Sequence, residues 1–168
     1  MTNITFVDEN DNVIGSGTKQ EALEHGIRHR IARVFLRNSK GEILMQKRGE
    51  HLESRPGKWD QSVGGHVDEG ETYEIAAYRE MKEEIGVEGV PLIEAGSFYR
   101  EEQTKKGESL KRFNKIYTGV YDDAVSPDLD EVSKVRWISP KELEKWMDER
   151  PADFTEGCMR AFREFVKK

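Results

Sequence analysis

Residues 65–87, GHVDEGETYEIAAYREMKEEIGV, place three glutamates on one face of a helix bounded by glycine at both ends. At about 100° per residue, Glu80, Glu83 and Glu84 share an arc of roughly 100°. Ala77, Tyr78, Met81 and Ile85 fill a neighbouring arc and are predicted to face a core. Like charges one turn apart destabilise a helix, so the acidic face needs a reason. A divalent cation supplies one: hard ions such as Mg²⁺ take oxygen ligands, keep several waters, and bridge carboxylates to substrate phosphates. With 36% charged residues in the chain, a solvated acidic face is the plainer alternative. It leaves unexplained the flanking glycines, Glu71, Arg79 and the apolar positions between them.

Written as spacing, the stretch is Gly65, five residues, Glu71, seven residues, Arg79-Glu80-Met81, one residue, Glu83-Glu84, one residue, Gly86-Val87. This resembles the Nudix box with every defining position filled. The resemblance implies an α/β protein with the Nudix fold, an α/β/α sandwich around a mixed central β-sheet. It also implies Mg²⁺-assisted hydrolysis of a diphosphate linked to another group, with Mn²⁺ as a substitute ion. Glu80, Glu83 and Glu84 become the expected metal ligands and catalytic carboxylates, joined in the metal shell by the Gly65 carbonyl. Glu71 and Arg79 are expected to pair near the helix start in a structural role. Gly64 and Gly65 let the backbone turn and approach a ligand where a Cβ would obstruct it, and Gly86 stops the helix. Such hydrolysis asks the protein mainly for positioning and charge neutralisation.

The resemblance extends through FVDENDNVIG (6–15), His29-Arg30, Gln46-Lys47-Arg48, PGKWD (56–60) and SVGGH (62–66). Across roughly this first half, the chain is similar to the Nudix branch that includes isopentenyl diphosphate isomerase. That enzyme's chemistry uses a cysteine, a glutamate and a histidine-bound metal. Here Gly64 stands at the cysteine position, no cysteine precedes Cys158, and the later glutamates would fall near Phe113 and Lys115. His29 and His66 match isomerase metal-ligand positions, but without their glutamate partners they are expected to be hydrogen-bonded structural histidines. A third reading is a Nudix-fold sensor that binds a nucleotide without cleaving it. Such sensors tend to lose box carboxylates, and this chain keeps all three.

The remaining sequence narrows the setting. At 168 residues the chain fits a single domain spanning 1–168 with a real core. A net charge of −6 argues against a nucleic-acid partner. The lone Cys158 permits no internal disulfide and is expected to pack inside a C-terminal helix. No apolar run approaches the ~20 residues of a membrane span. The first residues lack a signal-peptide pattern, so a cytoplasmic location is expected. The partner expected is a small-molecule diphosphate; no heptad or apolar stripe demands self-association, and a homodimer stays open.

Strands are predicted at 5–7, 12–15, 31–37, 42–47, 61–63, 92–100, 113–121 and 132–138. Helices are predicted at 72–85, from Pro140 to Glu149 behind a Ser139 cap, and at 156–167. Lys47, Arg48 and Arg55 precede the glycine loop and are the candidate diphosphate clamps. Trp59, after Pro-Gly, is expected to be a packing anchor. The charged segment 101–112 is long enough to be a loop over the metal site. Glu101, Glu102, Asp130 and Glu131 are the candidates for the general base.

Overall fold

A computed structural model describes residues 2–167. Strands β1 (Ile4–Val7) and β2 (Val13–Gly17) form a hairpin whose turn is held by the Asp8 carboxylate accepting the N–H groups of Asn10 and Asn12. A short helix, α1 (Lys19–His25), follows. It was not among the predicted elements, because it buries only Ala22 and so shows no apolar periodicity. Its ends are nonetheless written in the chain: Thr18 and Glu21 make a capping box, and Gly26 closes it at φ 59°.

The chain then lays down β3 (His29–Arg37), β4 (Ile43–Arg48), β5 (Trp59–Asp60) and β6 (Val63–His66), followed by helix α2 (Tyr73–Ile85). The single strand predicted at 61–63 is a correction: Gln61 and Ser62 form a break between β5, on the edge of β4, and β6, on the edge of β3. Strands β7 (Ile93–Gln103) and β8 (Ser109–Val120) form a long hairpin, and β9 (Val132–Ile138) pairs with β4. The loop predicted at 101–112 is therefore mostly strand, turning at Thr104–Glu108. Its charges concealed the strands because much of this ribbon is not buried. Helix α3 (Pro140–Glu149) is capped by Ser139, and α4 (Glu156–Ala161) widens into a π-turn over Phe162–Val166 where one regular helix was predicted.

Strand β3 is the spine. It runs parallel to β8, from His29 beside Arg112 to Arg37 beside Val120, and antiparallel to β6. Because side chains alternate along a strand, Ala32, Val34 and Leu36 pack towards α2 with Met81 and Ile85. Phe35 packs the other way, with Leu143, Cys158 and Phe162. A strand buried on both faces demands helices on both, and the result is a mixed sheet between helical layers. Cys158 and Phe162 are fully buried, and truncating a phenylalanine in such a place costs about 3–5 kcal/mol. Among the described residues no helix is long and apolar enough to cross a membrane.

Candidate functional site

Helix α2 starts at the Thr72 cap and ends at Gly86, where φ is 68°. Its acidic side meets β6, and one guanidinium organises the meeting. Arg79 donates from Nε and Nη2 to the two oxygens of Glu71 at 2.7 and 2.9 Å. The same Nη2 donates to the His66 carbonyl at 3.0 Å, tying the helix to the strand. Nη1 reaches Glu80 at 2.8 Å and Glu83 at 3.3 Å. Burial pushes the Glu71 carboxyl up, but the Arg79 and Asp68 hydrogen bonds outweigh it and hold the group below its ordinary value.

The three expected ligands occupy three different environments. Glu83 is exposed. Glu84 is buried, and its Oε1 accepts the Gly64 N–H at 3.0 Å and the Gln46 amide at 3.3 Å. Burial drives Glu84 well above the usual carboxylate range, with the Glu80 charge adding to the effect. Glu80 is pushed up to about 7, first by burial, then against Arg79 by the charges of Glu83 and Glu131. Gly65 lies directly against it: a Cβ there would sit 2.1 Å from a Glu80 oxygen. Gln46 is a residue that sequence reasoning missed, since one amide in a strand carries no pattern.

These donors fit a hard divalent cation in kind: carboxylate oxygens beside a glycine strand that admits no side chain. The present side-chain arrangement pairs Glu80 and Glu83 with Arg79, so among the described residues no three acidic, histidine or cysteine groups converge on one ion position. An ion held by Glu80, Glu83 and Glu84 would displace Arg79 as their countercharge.

The other candidates disperse. Lys47 lies 3.9 Å from Glu50. Arg48 donates to the Ser54 carbonyl and stands 3.7 Å from Asp60. Arg55 pairs with Glu102. None of the three has a box carboxylate within salt-bridge distance among the described residues, so the structure does not assemble them into one clamp at α2. Trp59 is buried edge-on against Trp146, as a packing residue. Of the four carboxylates considered for the base, Glu102 is engaged by Arg55 and Arg100, and Glu101 accepts from the Tyr99 hydroxyl. Glu131 is exposed, and its charge acts on both Glu80 and Glu84.

His29 and His66 stack on the opposite face of the sheet from α2, with ring centroids 5.5 Å apart. His29 faces the Ile27 carbonyl from Nδ1 at 3.0 Å, which makes that nitrogen the donor. Its Nε2 lone pair accepts from Arg112 Nε at 3.2 Å, so neither nitrogen is free for a metal. Burial, with the Arg112 charge behind it, pushes His29 down to about 4 and His66 well below its ordinary value. Phe113 and Lys115 face the α2 side instead. The β8 residues level with the histidines on that face are Arg112 and Asn114, neither of them an acid. At the isomerase cysteine position, a Cβ on Gly64 would lie 2.4 Å from Gln61 Nε2; the glutamine amide fills that space.

A mixed sheet between helical layers, with a glutamate helix set under a glycine strand, is the architecture of the Nudix hydrolases. Residues 27–158 match the NUDIX domain, and the chain belongs to the Nudix hydrolase family. It is 34% identical over 158 residues to an uncharacterized Nudix hydrolase of Yersinia pestis, covering 94% of this chain and 82% of that one. It is also 31% identical over 152 residues to isopentenyl-diphosphate Delta-isomerase 2 of Photorhabdus laumondii, covering 90% and 85%. Among solved structures, DR0079 from Deinococcus radiodurans superposes with a TM-score of 0.79 at 28% identity, covering 96% of this chain and 98% of that one.

Proposed function

We propose that this Nudix hydrolase, acting as one domain, uses Mg²⁺ to cleave a diphosphate bond in a nucleoside diphosphate derivative or related organic diphosphate. The observation that carries the reading is the desolvated carboxylate pair Glu80 and Glu84, set on one helix face against Gly64 and Gly65. When bound, the ion would polarise phosphoryl oxygens and lower the pKa of a coordinated water. The chain's own residues do the rest. The Gly64 N–H and the Gln46 amide hold one oxygen of Glu84, which leaves its second oxygen as the one available to an ion. Arg79, anchored on Glu71, fixes the helix to β6 and shares charge with Glu80 and Glu83. Of the four carboxylates considered for the general base, Glu131 is our choice, because its charge acts on both Glu80 and Glu84.

The isomerase reading is disfavoured by Gly64, which brings no thiol, and by His29, whose two nitrogens are both engaged. The deciding experiment measures phosphate and nucleotide release from a panel of nucleoside diphosphate derivatives, with and without Mg²⁺, for wild type and Glu83→Gln. Metal-dependent cleavage lost in the variant supports the hydrolase. Tight binding without cleavage favours the sensor, and an inert panel makes isopentenyl diphosphate the next compound.

A further inference from the structure

The α4 side of the sheet carries a concentration of positive charge that runs against the chain's net −6. Arg33, Arg48, Arg55, Arg100 and Arg112 gather around Asp60, Glu102 and Glu156. Four of these guanidinium groups share the three carboxylates, and Arg112 is left without one. Arg33 is spent on structure: it donates to Asn114 at 3.0 Å and Gln61 at 2.7 Å, and Gly157 of α4 covers it. Arg100 stands across the β7–β8 ladder from Arg112, between Glu102 and Glu156.

Arg112 is different. Its only side-chain bond among the described residues goes to neutral His29, and no carboxylate lies within salt-bridge distance of it. No fully buried side-chain nitrogen or oxygen among the described residues lacks a partner, so the unbonded nitrogens of this largely covered guanidinium keep some contact with solvent. Burial and then the Arg55 charge depress it to about 9, which leaves it cationic at neutral pH. A guanidinium fork without an acid, among other cations, calls for an anion, and its geometry matches phosphate. Arg55, beside it, is held at φ 48° immediately before Pro56. A non-glycine residue there is strained, and such strain gathers at ligand clamps.

We propose that Arg112, Arg55 and Arg100 form an anion pocket that takes a phosphoryl group of the substrate separate from the scissile bond. This rests on the hydrolase reading and extends it to a substrate class: compounds carrying anionic charge beyond the cleaved linkage. The route between the two sites is short. Along β6, Gly65 faces Glu80, while its neighbours Gly64 and His66 face Gln61 and His29 on the other side. Strand β6 pairs only with β3 among the described strands, and its outer edge meets side chains in place of a strand: the Gly64 N–H donates to Glu84 and the His66 carbonyl accepts from Arg79.

The test uses inorganic phosphate and pyrophosphate as probes, by calorimetry in metal-free buffer, where the α2 carboxylates repel anions. Wild type should bind, and Arg112→Gln should weaken binding about tenfold or more. Should that variant misfold, two others decide. Arg55→Gln should weaken binding, and Glu156→Gln, which frees Arg100, should tighten it. With a cleaved substrate in hand, phosphate should inhibit competitively, and Arg112→Gln should raise KM more than it lowers kcat. Absence of anion binding by wild type, indifference to all three substitutions, or noncompetitive inhibition overturns the pocket. Anion binding lost with Arg112→Gln, alongside a panel that is never cleaved, leaves the pocket standing and removes the hydrolase reading.

Discussion

Arg79 holds both carboxylate oxygens of Glu71, at 2.7 and 2.9 Å, across eight residues of sequence. The pair is partly covered, charge-assisted and two-pronged, the geometry in which an ion pair contributes most. A double-mutant cycle of Arg79→Ala and Glu71→Ala, followed by urea denaturation, should give a coupling energy of about 1–3 kcal/mol. Arg79→Lys should rescue little of it, since an ammonium cannot engage both oxygens in a fork. Coupling near zero would show that the pair contributes nothing to folding.

Glu84→Gln should separate turnover from stability. The substituted amide keeps an oxygen to accept the Gly64 N–H, so the thermal midpoint should hold or rise, because the amide stays neutral in the buried site without taking up a proton. Turnover should fall about 100-fold or more. Normal Mg²⁺-dependent activity in this variant would falsify the role given to the carboxylate.

Magnesium binding should be linked to protons. Glu80, pushed up to about 7, and Glu84, higher than the usual range, bind protons that the unfolded chain has already released. Stability from those protonated forms is complete below the unfolded carboxylate pKa and is lost as pH rises through about 7. An ion then competes with protons, so the rise in melting temperature on adding Mg²⁺ should be larger at pH 8 than at pH 6. An equal or reversed difference would place the ion elsewhere.

The histidine pair works in the opposite direction. His29 titrates near 4 when folded against 6.5 unfolded, so the unfolded chain takes up the proton first as pH falls. Its stabilisation is intact above pH 6.5 and drains away towards pH 4, by about 2 kcal/mol between pH 7 and 5. Comparing urea midpoints of wild type and His29→Gln across that interval isolates the effect from the carboxylates. Parallel pH profiles for the two proteins would mean that His29 is not held neutral.

Legibility in the sequence followed periodicity. Helix α2, with Thr72 and Gly86 at its ends, was readable because its apolar stripe, cap and stop agree. The same agreement located β9 and the start of α3. Helix α1 and the ends of the β7–β8 hairpin were not readable, because segments that bury so little leave no hydrophobic pattern. The box residues were visible as a local spacing. Gln46, Arg33 and Arg112 were not, since they meet their partners through pairings that one-dimensional spacing does not encode: Arg112 reaches His29 across 83 residues. Arg55 was singled out for its charge, and the structure places that charge beside Glu102, away from the acidic helix.

Strand β6 makes a partition one residue thick, with Gly65 turned to the acidic helix and Gly64 and His66 turned to the arginines. Parity is therefore shared property. With the start of the strand held in register, deleting one residue between Val63 and His66 would put the imidazole against Glu80 and Val67 beside His29, while inserting one would put a glycine beside His29. The two faces cannot be adjusted independently through this strand, and any engineered change of length here alters both chemistries at once.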